Sequence, residues 1–280
     1  MHNKQPTIPN SIRAKPPIKT TEPPSNIIKN TKIIQARYVM PVKAYNYTIS
    51  QVMSAGMGLC MFLGGILLLS GAAITLSDFQ YYYRAAGVLW IITFSFFTAG
   101  SVFGIVSSAA LGLKNNRSSY QIINGIASIL FAIGSIVMIV GSGLWPVGSF
   151  KYLSAAGINF IIGSSAMFCS FCLRNYAAVT DGLDVYHNYM KRLTAPRTEP
   201  TGLITYEVAP KDQIAGLYLN GIVCCFYSVA GILLLIGSIC WILFLFTSQT
   251  YSFQVEAGVL WVLSGSLFSI GSLFQIMSRR

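Results

Sequence analysis

Charge is what this chain has least of. Charged residues are 10% of 280, against roughly a quarter in an ordinary soluble domain, while 54% are hydrophobic and the mean hydropathy is +0.60. A soluble globule of this size could not be covered by so few charges, so lipid is the expected solvent for most of the chain. Acids are scarcest, at eight Asp and Glu, and the two histidines, His2 and His187, fall outside every long apolar run. None of those runs, as their ends are read below, has an interior Lys, Arg, Asp or His. That removes the usual groups for ion coupling and proton relay inside a membrane. HExxH, GxSxG, P-loop and paired-carboxylate patterns are also missing. No enzyme, cofactor or metal centre is expected. Six cysteines are present, none in the short links read below as outer tips, so there is no disulfide framework of the secreted kind.

What the chain does have is six apolar stretches, at about 52–76, 86–111, 121–145, 152–173, 216–247 and 256–277. Each is long enough for a helix to cross a hydrocarbon core about 30 Å thick. They are continuous rather than alternating, which excludes a transmembrane β-barrel. Links at 77–85, 146–151 and 248–255 are short enough only for tight helical hairpins, and 112–120 and 174–215 join one hairpin to the next. The expectation is an all-α integral membrane protein with six transmembrane helices as three sequential hairpins. Its divisions are 1–50, a disordered basic tail; 51–113 and 120–173, hairpins one and two; 174–215, a link; and 216–278, hairpin three.

The positive charge reports orientation. Of nineteen Lys and Arg, all but Arg84 and Lys151 fall on the side of the termini and the two inter-hairpin links. By the positive-inside rule both termini are cytosolic and the three hairpin tips lie outside. The net charge of +11 is therefore a topology signal, and no nucleic-acid partner is expected. Trp90, Trp145, Trp241 and Trp261, in the outward halves of their helices, predict an aromatic belt at the outer interface, with Tyr81, Tyr82, Tyr83 and Tyr251. The Pro- and Lys-rich tail is too polar to fold, and its basic residues are candidates to hold anionic lipid at about 1 kcal/mol each. Within the second link, Leu183, Tyr186, Met190 and Leu193 share one face of a candidate amphipathic helix over 183–193.

The chain also repeats itself. Residues 86–103 (AGVLWIITFSFFTAGSVF) align without a gap on 257–274 (AGVLWVLSGSLFSIGSLF), and Ala156-Gly157-Ile158 with Phe160 enters the same register. A shift of 96 sets Asn124-Gly125-Ile126 on Asn220-Gly221-Ile222, Gly141-Ser142 on Gly237-Ser238 and Trp145 on Trp241. The unit is a hairpin of roughly 55–65 residues, present three times in the same sense, hence parallel repeats. Such an aromatic-rich hairpin, carrying Gly134-Ser135, Gly141-Ser142, Gly237-Ser238, Gly258–Trp261, Gly265-Ser266 and Gly271-Ser272, resembles the YrhK-like domain. The likeness is best over 216–277, less over 121–173 and 54–106. The resemblance implies a small helical-hairpin membrane fold and carries no assigned activity or functional residues.

Those Gly-Ser pairs have a physical purpose. Helices in lipid gain little from the hydrophobic effect by touching, so small residues that allow close approach drive their packing. A left-handed bundle seam is the favoured reading, and the same seams are candidates for homo-oligomerisation. On the third helix Asn124, Ser128, Phe131, Ser135, Met138 and Ser142 follow a 4-3-4-3-4 rhythm, placing its polarity on one face. The alternative is that such faces line a path for a small solute, with Asn124, Asn159 and Asn220 its best polar gate. Cys169, Cys172, Cys224 and Cys225 read first as packing, with palmitoylation or a metal site as lesser alternatives. The favoured function is a non-enzymatic structural or interaction module of the bilayer; the rival is a channel or facilitator for a small neutral or lipidic solute.

Overall fold

The computed structural model describes residues 41–77, 79–112, 119–194, 210–247 and 251–277. These form six helices: α1 (Pro41–Ser77), α2 (Phe79–Gly112), α3 (Ser119–Leu144), α4 (Phe150–Thr194), α5 (Pro210–Phe246) and α6 (Tyr251–Met277). Each contains one stretch long and apolar enough to cross a membrane, and among the described residues there is no strand. The protein is an all-α, polytopic membrane protein. The spans are Gln51–Ser77, Tyr83–Ala110, Tyr120–Val147, Phe150–Thr180, Leu219–Phe246 and Ser252–Met277.

Two helices run past the apolar stretches that announced them. Helix α1 starts at Pro41, well before its apolar run, and α4 continues unbroken to Thr194. The candidate amphipathic segment 183–193 is thus the last part of α4, not a separate helix in a link. No Gly or Pro interrupts α4 between 174 and 181, so nothing stops it where hydropathy falls. The disorder and lipid binding expected of the tail fall, for residues 1–40, outside the described residues.

Which face of each helix turns inward is set by residue size rather than polarity. In α3, Phe131, Gly134, Ser135, Met138, Gly141 and Ser142 are buried, whereas Ile122, Ile126, Ile129, Ile133, Ile136 and Val140 face outward. In a lipid solvent, branched aliphatic side chains lose nothing by facing outward, while close contact needs small residues and space-filling rings. Seventy residues separate this pattern from α1, where Met61, Gly64, Gly65, Leu68, Gly71 and Ala72 are buried. Ninety-six residues on, the pattern returns in α5 at Tyr227, Ala230, Gly231, Leu234, Gly237 and Ser238. Among the even-numbered helices the buried positions Gly87, Trp90, Phe94 and Phe97 of α2 coincide at shifts of 70 and 171 with Gly157, Phe160, Ser164 and Met167 of α4 and Gly258, Trp261, Gly265 and Phe268 of α6.

Each helix packs on the next, α2 on α3, α3 on α4, α4 on α5 and α5 on α6. Helix α1 closes the ring. A Cβ on its Gly64 would meet the Phe97 ring of α2, and one on Gly65 would lie 2.9 Å from the Ser269 backbone nitrogen of α6. Between α3 and α4, a Cβ on Gly134 would lie 2.7 Å from the Gly163 carbonyl oxygen, and one on Gly163 would lie 2.8 Å from that of Gly134. The α3–α4 link is a 3-10 turn, Trp145–Val147, ended by Gly148 at φ 72° with its N–H bonded to the Trp145 carbonyl.

A six-helix ring leaves an axial space that aliphatic side chains do not fill, and aromatic rings occupy it. Trp90, Phe160 and Trp261, from α2, α4 and α6, form a triangle with centroid separations of 5.0, 5.7 and 6.1 Å. Trp145 and Trp241 complete this layer, 4.4 Å apart. The side chains of Tyr81, Tyr82 and Tyr251 lie outside the described residues, but for its tryptophans the expected aromatic belt is corrected: all four are at most 3% exposed. Their position along the helix resembles that of a belt, but their side chains turn toward the axis. Filling the ring outweighs wetting the indole N–H, and Trp90 and Trp261 bury that group with no hydrogen-bond partner. Next to it along the axis come Phe97, Phe131, Phe171, Phe268 and Tyr227, again in mutual ring contact.

Candidate functional site

Beyond the phenylalanines the axis opens into a polar cavity of about 90 Å³. That is several times the ~10–15 Å³ one water needs on this measure. Every helix contributes to its wall. Ser54 and Met57 come from α1; Gly104, Ser107 and Ser108 from α2; Tyr120, Asn124 and Ser128 from α3. Arg174 comes from α4, Asn220, Val223, Cys224 and Tyr227 from α5, and Gln275 from α6.

Arg174 is the residue that the sequence reading misplaced. It falls one residue past the apolar run ending at 173, at the first position of the 174–215 link; in the structure it lies inside the span Phe150–Thr180 and lines the cavity. The fourth span, read from hydropathy as free of Arg, therefore holds one in its interior. Two cross-helix bonds hold this part of α4. Ser170 Oγ donates to the Ala127 carbonyl of α3 at 2.7 Å, and Asn175 Nδ2 donates to Ser228 Oγ of α5 at 2.6 Å. The guanidinium thereby points between α3 and α1. Its Nη2 donates to Ser128 Oγ at 3.1 Å, and Nη1 lies 3.7 Å from Met57 Sδ, a weak acceptor. Its Nε is buried and unpartnered, and no acid pairs with it among the described residues.

Neighbouring groups are arranged to suit. Ser128 donates its own proton to the Asn124 carbonyl at 2.8 Å, leaving an oxygen lone pair for Arg174. Gly104 is required here because a Cβ would lie 2.8 Å from Ser128 Oγ. The Tyr227 hydroxyl donates to Gln275 Oε1 at 2.7 Å and lies 3.0 Å from Ser272 Oγ. The site is thus one cation amid hydroxyls and amides, without a carboxylate among the described residues.

The chain matches no family model, no curated protein and no solved structure.

The cavity brings together Asn124 and Asn220, two of the three asparagines singled out from sequence. Asn159 is not there: its amide donates to the Ala155 carbonyl one turn back in α4, beside Gly141. The Gly-Ser positions lie along the helix contacts. Gly141 abuts Phe160, Gly237 abuts Trp261, Gly271 abuts Phe226 and Tyr227, and Gly265 abuts the α1 backbone. Ser135, Ser142, Ser238, Ser266 and Ser272 each bond a carbonyl four residues back in their own helix. Cross-helix bonds come instead from Ser170 and from Ser264, which donates to the Ala230 carbonyl at 2.8 Å. Cys169, Cys172 and Cys225 are exposed on the outer surface, Cys224 faces the cavity, and no three potential metal ligands converge among the described residues.

Sequence reasoning missed Arg174, Tyr227 and Gln275. A signal was present: carrying the register of the tryptophan helices forward from Gly104 by 70 and by 171 reaches Arg174 and Gln275. The odd-numbered helices do likewise with Ser54, Asn124 and Asn220.

Proposed function

We propose that this protein is a non-enzymatic module of the bilayer, three copies of one YrhK-like hairpin closed into a ring, that binds at one end and conducts nothing through. One observation carries the reading: two successive layers of aromatic side chains, tryptophan then phenylalanine, occupy the axis between the cavity and the far end. A through-path would need a cavity that continues along the axis, and the cavity lining ends at Tyr227 and Ser128, where the phenylalanine layer begins. The channel or facilitator reading draws on the cavity alone. In the proposed orientation the positive-inside rule sets the cavity toward the cytosol, with both termini on that side.

Thiol accessibility tests this. In a cysteine-free background, Ser135→Cys and Ser164→Cys place thiols at fully buried positions outside the cavity, and Ser54→Cys and Ser108→Cys place them in the cavity. A small membrane-impermeant reagent added to opened membranes is expected to modify the cavity pair and leave the buried pair unmodified. Modification of either buried thiol means that water reaches past the cavity and overturns the proposal in favour of transport.

A further inference from the structure

We infer that the Arg174 cavity is a binding site for a small oxyanion of the phosphate type, free in water or as the headgroup of a lipid. The inference rests on the cavity's lining, not on the ring being closed to passage, so it stands or falls separately from the reading above.

A guanidinium at this depth is costly unless its charge and its five N–H donors are answered. Here only Ser128 Oγ accepts a bond of ordinary strength, Met57 Sδ is a weak substitute, and Nε has nothing. No carboxylate pairs with the residue among the described residues, so the cation is held without its counter-charge inside a space large enough for a ligand. The rest of the wall offers donors of the kind an oxyanion takes: the Asn124 and Asn220 amides and the Ser108 hydroxyl. Planar, forked Arg donors match phosphate oxygens two at a time, where a metal cation or a neutral sugar would leave the charge unanswered. The register of the three copies reinforces the point. At the level of Arg174 the other two even-numbered helices carry Gly104 and Gln275, so a single cation stands on the axis with one small and one amide neighbour. Gly104 keeps that space clear.

Cys224 lies in the cavity wall and serves as the reporter. The full chain, with its other five cysteines replaced by alanine, is placed in phosphatidylcholine nanodiscs, and modification of Cys224 by a small thiol reagent is timed. One arm adds inorganic phosphate; a second replaces part of the lipid by phosphatidic acid with no free phosphate. Slowed modification in the first arm identifies a dissolved oxyanion, and slowing in the second alone identifies a lipid phosphate; either supports the site. In Arg174→Gln the half-protecting concentration is expected to rise about tenfold or more, the loss of a charge-assisted bond pair. Arg174→Lys, which keeps the charge without the fork, retains part of the protection and shows that the loss is not one of folding. The inference is overturned if neither arm slows the reaction, if Arg174→Gln is protected as well as the parent, or if Cys224 fails to react in the bare protein.

Discussion

Replacing Gly265 by alanine adds one methyl group at the seam that closes the ring. That methyl would lie 2.7 Å from the Leu69 backbone nitrogen, 2.9 Å from the Gly65 carbonyl oxygen and 3.1 Å from the Leu69 Cα. All three atoms are backbone, so no side-chain rotation relieves the clash, and α1 and α6 must separate by about 0.7 Å to restore ordinary contact. A gap of 0.5–1 Å forfeits roughly a quarter to a half of each dispersion contact along the seam. Inserted methylenes in packed cores cost about 1–3 kcal/mol, against which the better helix propensity of alanine returns up to about 1 kcal/mol. A net loss of up to about 2 kcal/mol is expected when that return is complete. The matched control is Gly221→Ala, where a Cβ meets nothing within 4 Å and only the propensity gain applies. The propensity gain cancels between them, so the two variants should differ by about 1–3 kcal/mol, or roughly 5- to 140-fold in the folding equilibrium. Reversible unfolding in mixed micelles, titrated with a denaturing detergent, measures both. If Gly265→Ala is as stable as Gly221→Ala to within about 0.5 kcal/mol, the close approach of α1 and α6 is not what closes the ring.

Other consequences follow from single contacts. Trp145→Ala removes a fully buried ring that touches Trp90, Phe160, Trp241 and Trp261, and should cost about 3–5 kcal/mol in the same titration, with Trp145→Phe costing distinctly less. Gly148→Ala forces a left-handed residue and sets a Cβ 2.7 Å from the Tyr83 hydroxyl; a loss of at least about 1–2 kcal/mol is expected, and a neutral effect would mean the turn rearranges freely. Ser264→Ala deletes a bond between α6 and α5 and should cost about 0.6–1.7 kcal/mol, whereas Ser142→Ala, whose hydroxyl serves its own helix, should change stability little. Equal losses at the two serines would refute that division.

The spans were legible because lipid imposes a length and a composition that any helix crossing it must meet. The apolar runs at 52–76, 121–145 and 256–277 fall within a few residues of Gln51–Ser77, Tyr120–Val147 and Ser252–Met277. What hydropathy does not encode is rotation about the helix axis. Trp90 and Trp261 sit at the depth of an interfacial belt, and only the positions of Gly87 and Gly258 three residues earlier, on the same buried face, mark them as inward. Arg174 was lost for a related reason: a hydropathy window ends where charge begins, whereas the helix ends twenty residues later. The asparagines divide similarly. Asn124 and Asn220 share a register and share the cavity, while Asn159 lies in the other set of helices and donates to the Ala155 carbonyl of its own helix.

The tryptophan layer has an optical consequence. All four tryptophans of the chain belong to one contact network at one end of the bundle. Their emission therefore reports a single place, shielded from aqueous quenchers and depolarised by energy transfer among rings that nearly touch. An event confined to the cavity leaves the indole spectrum unmoved, while parting of the helices at the tryptophan end shifts it to the red, so that end of the molecule can be followed by itself in a cuvette without a label.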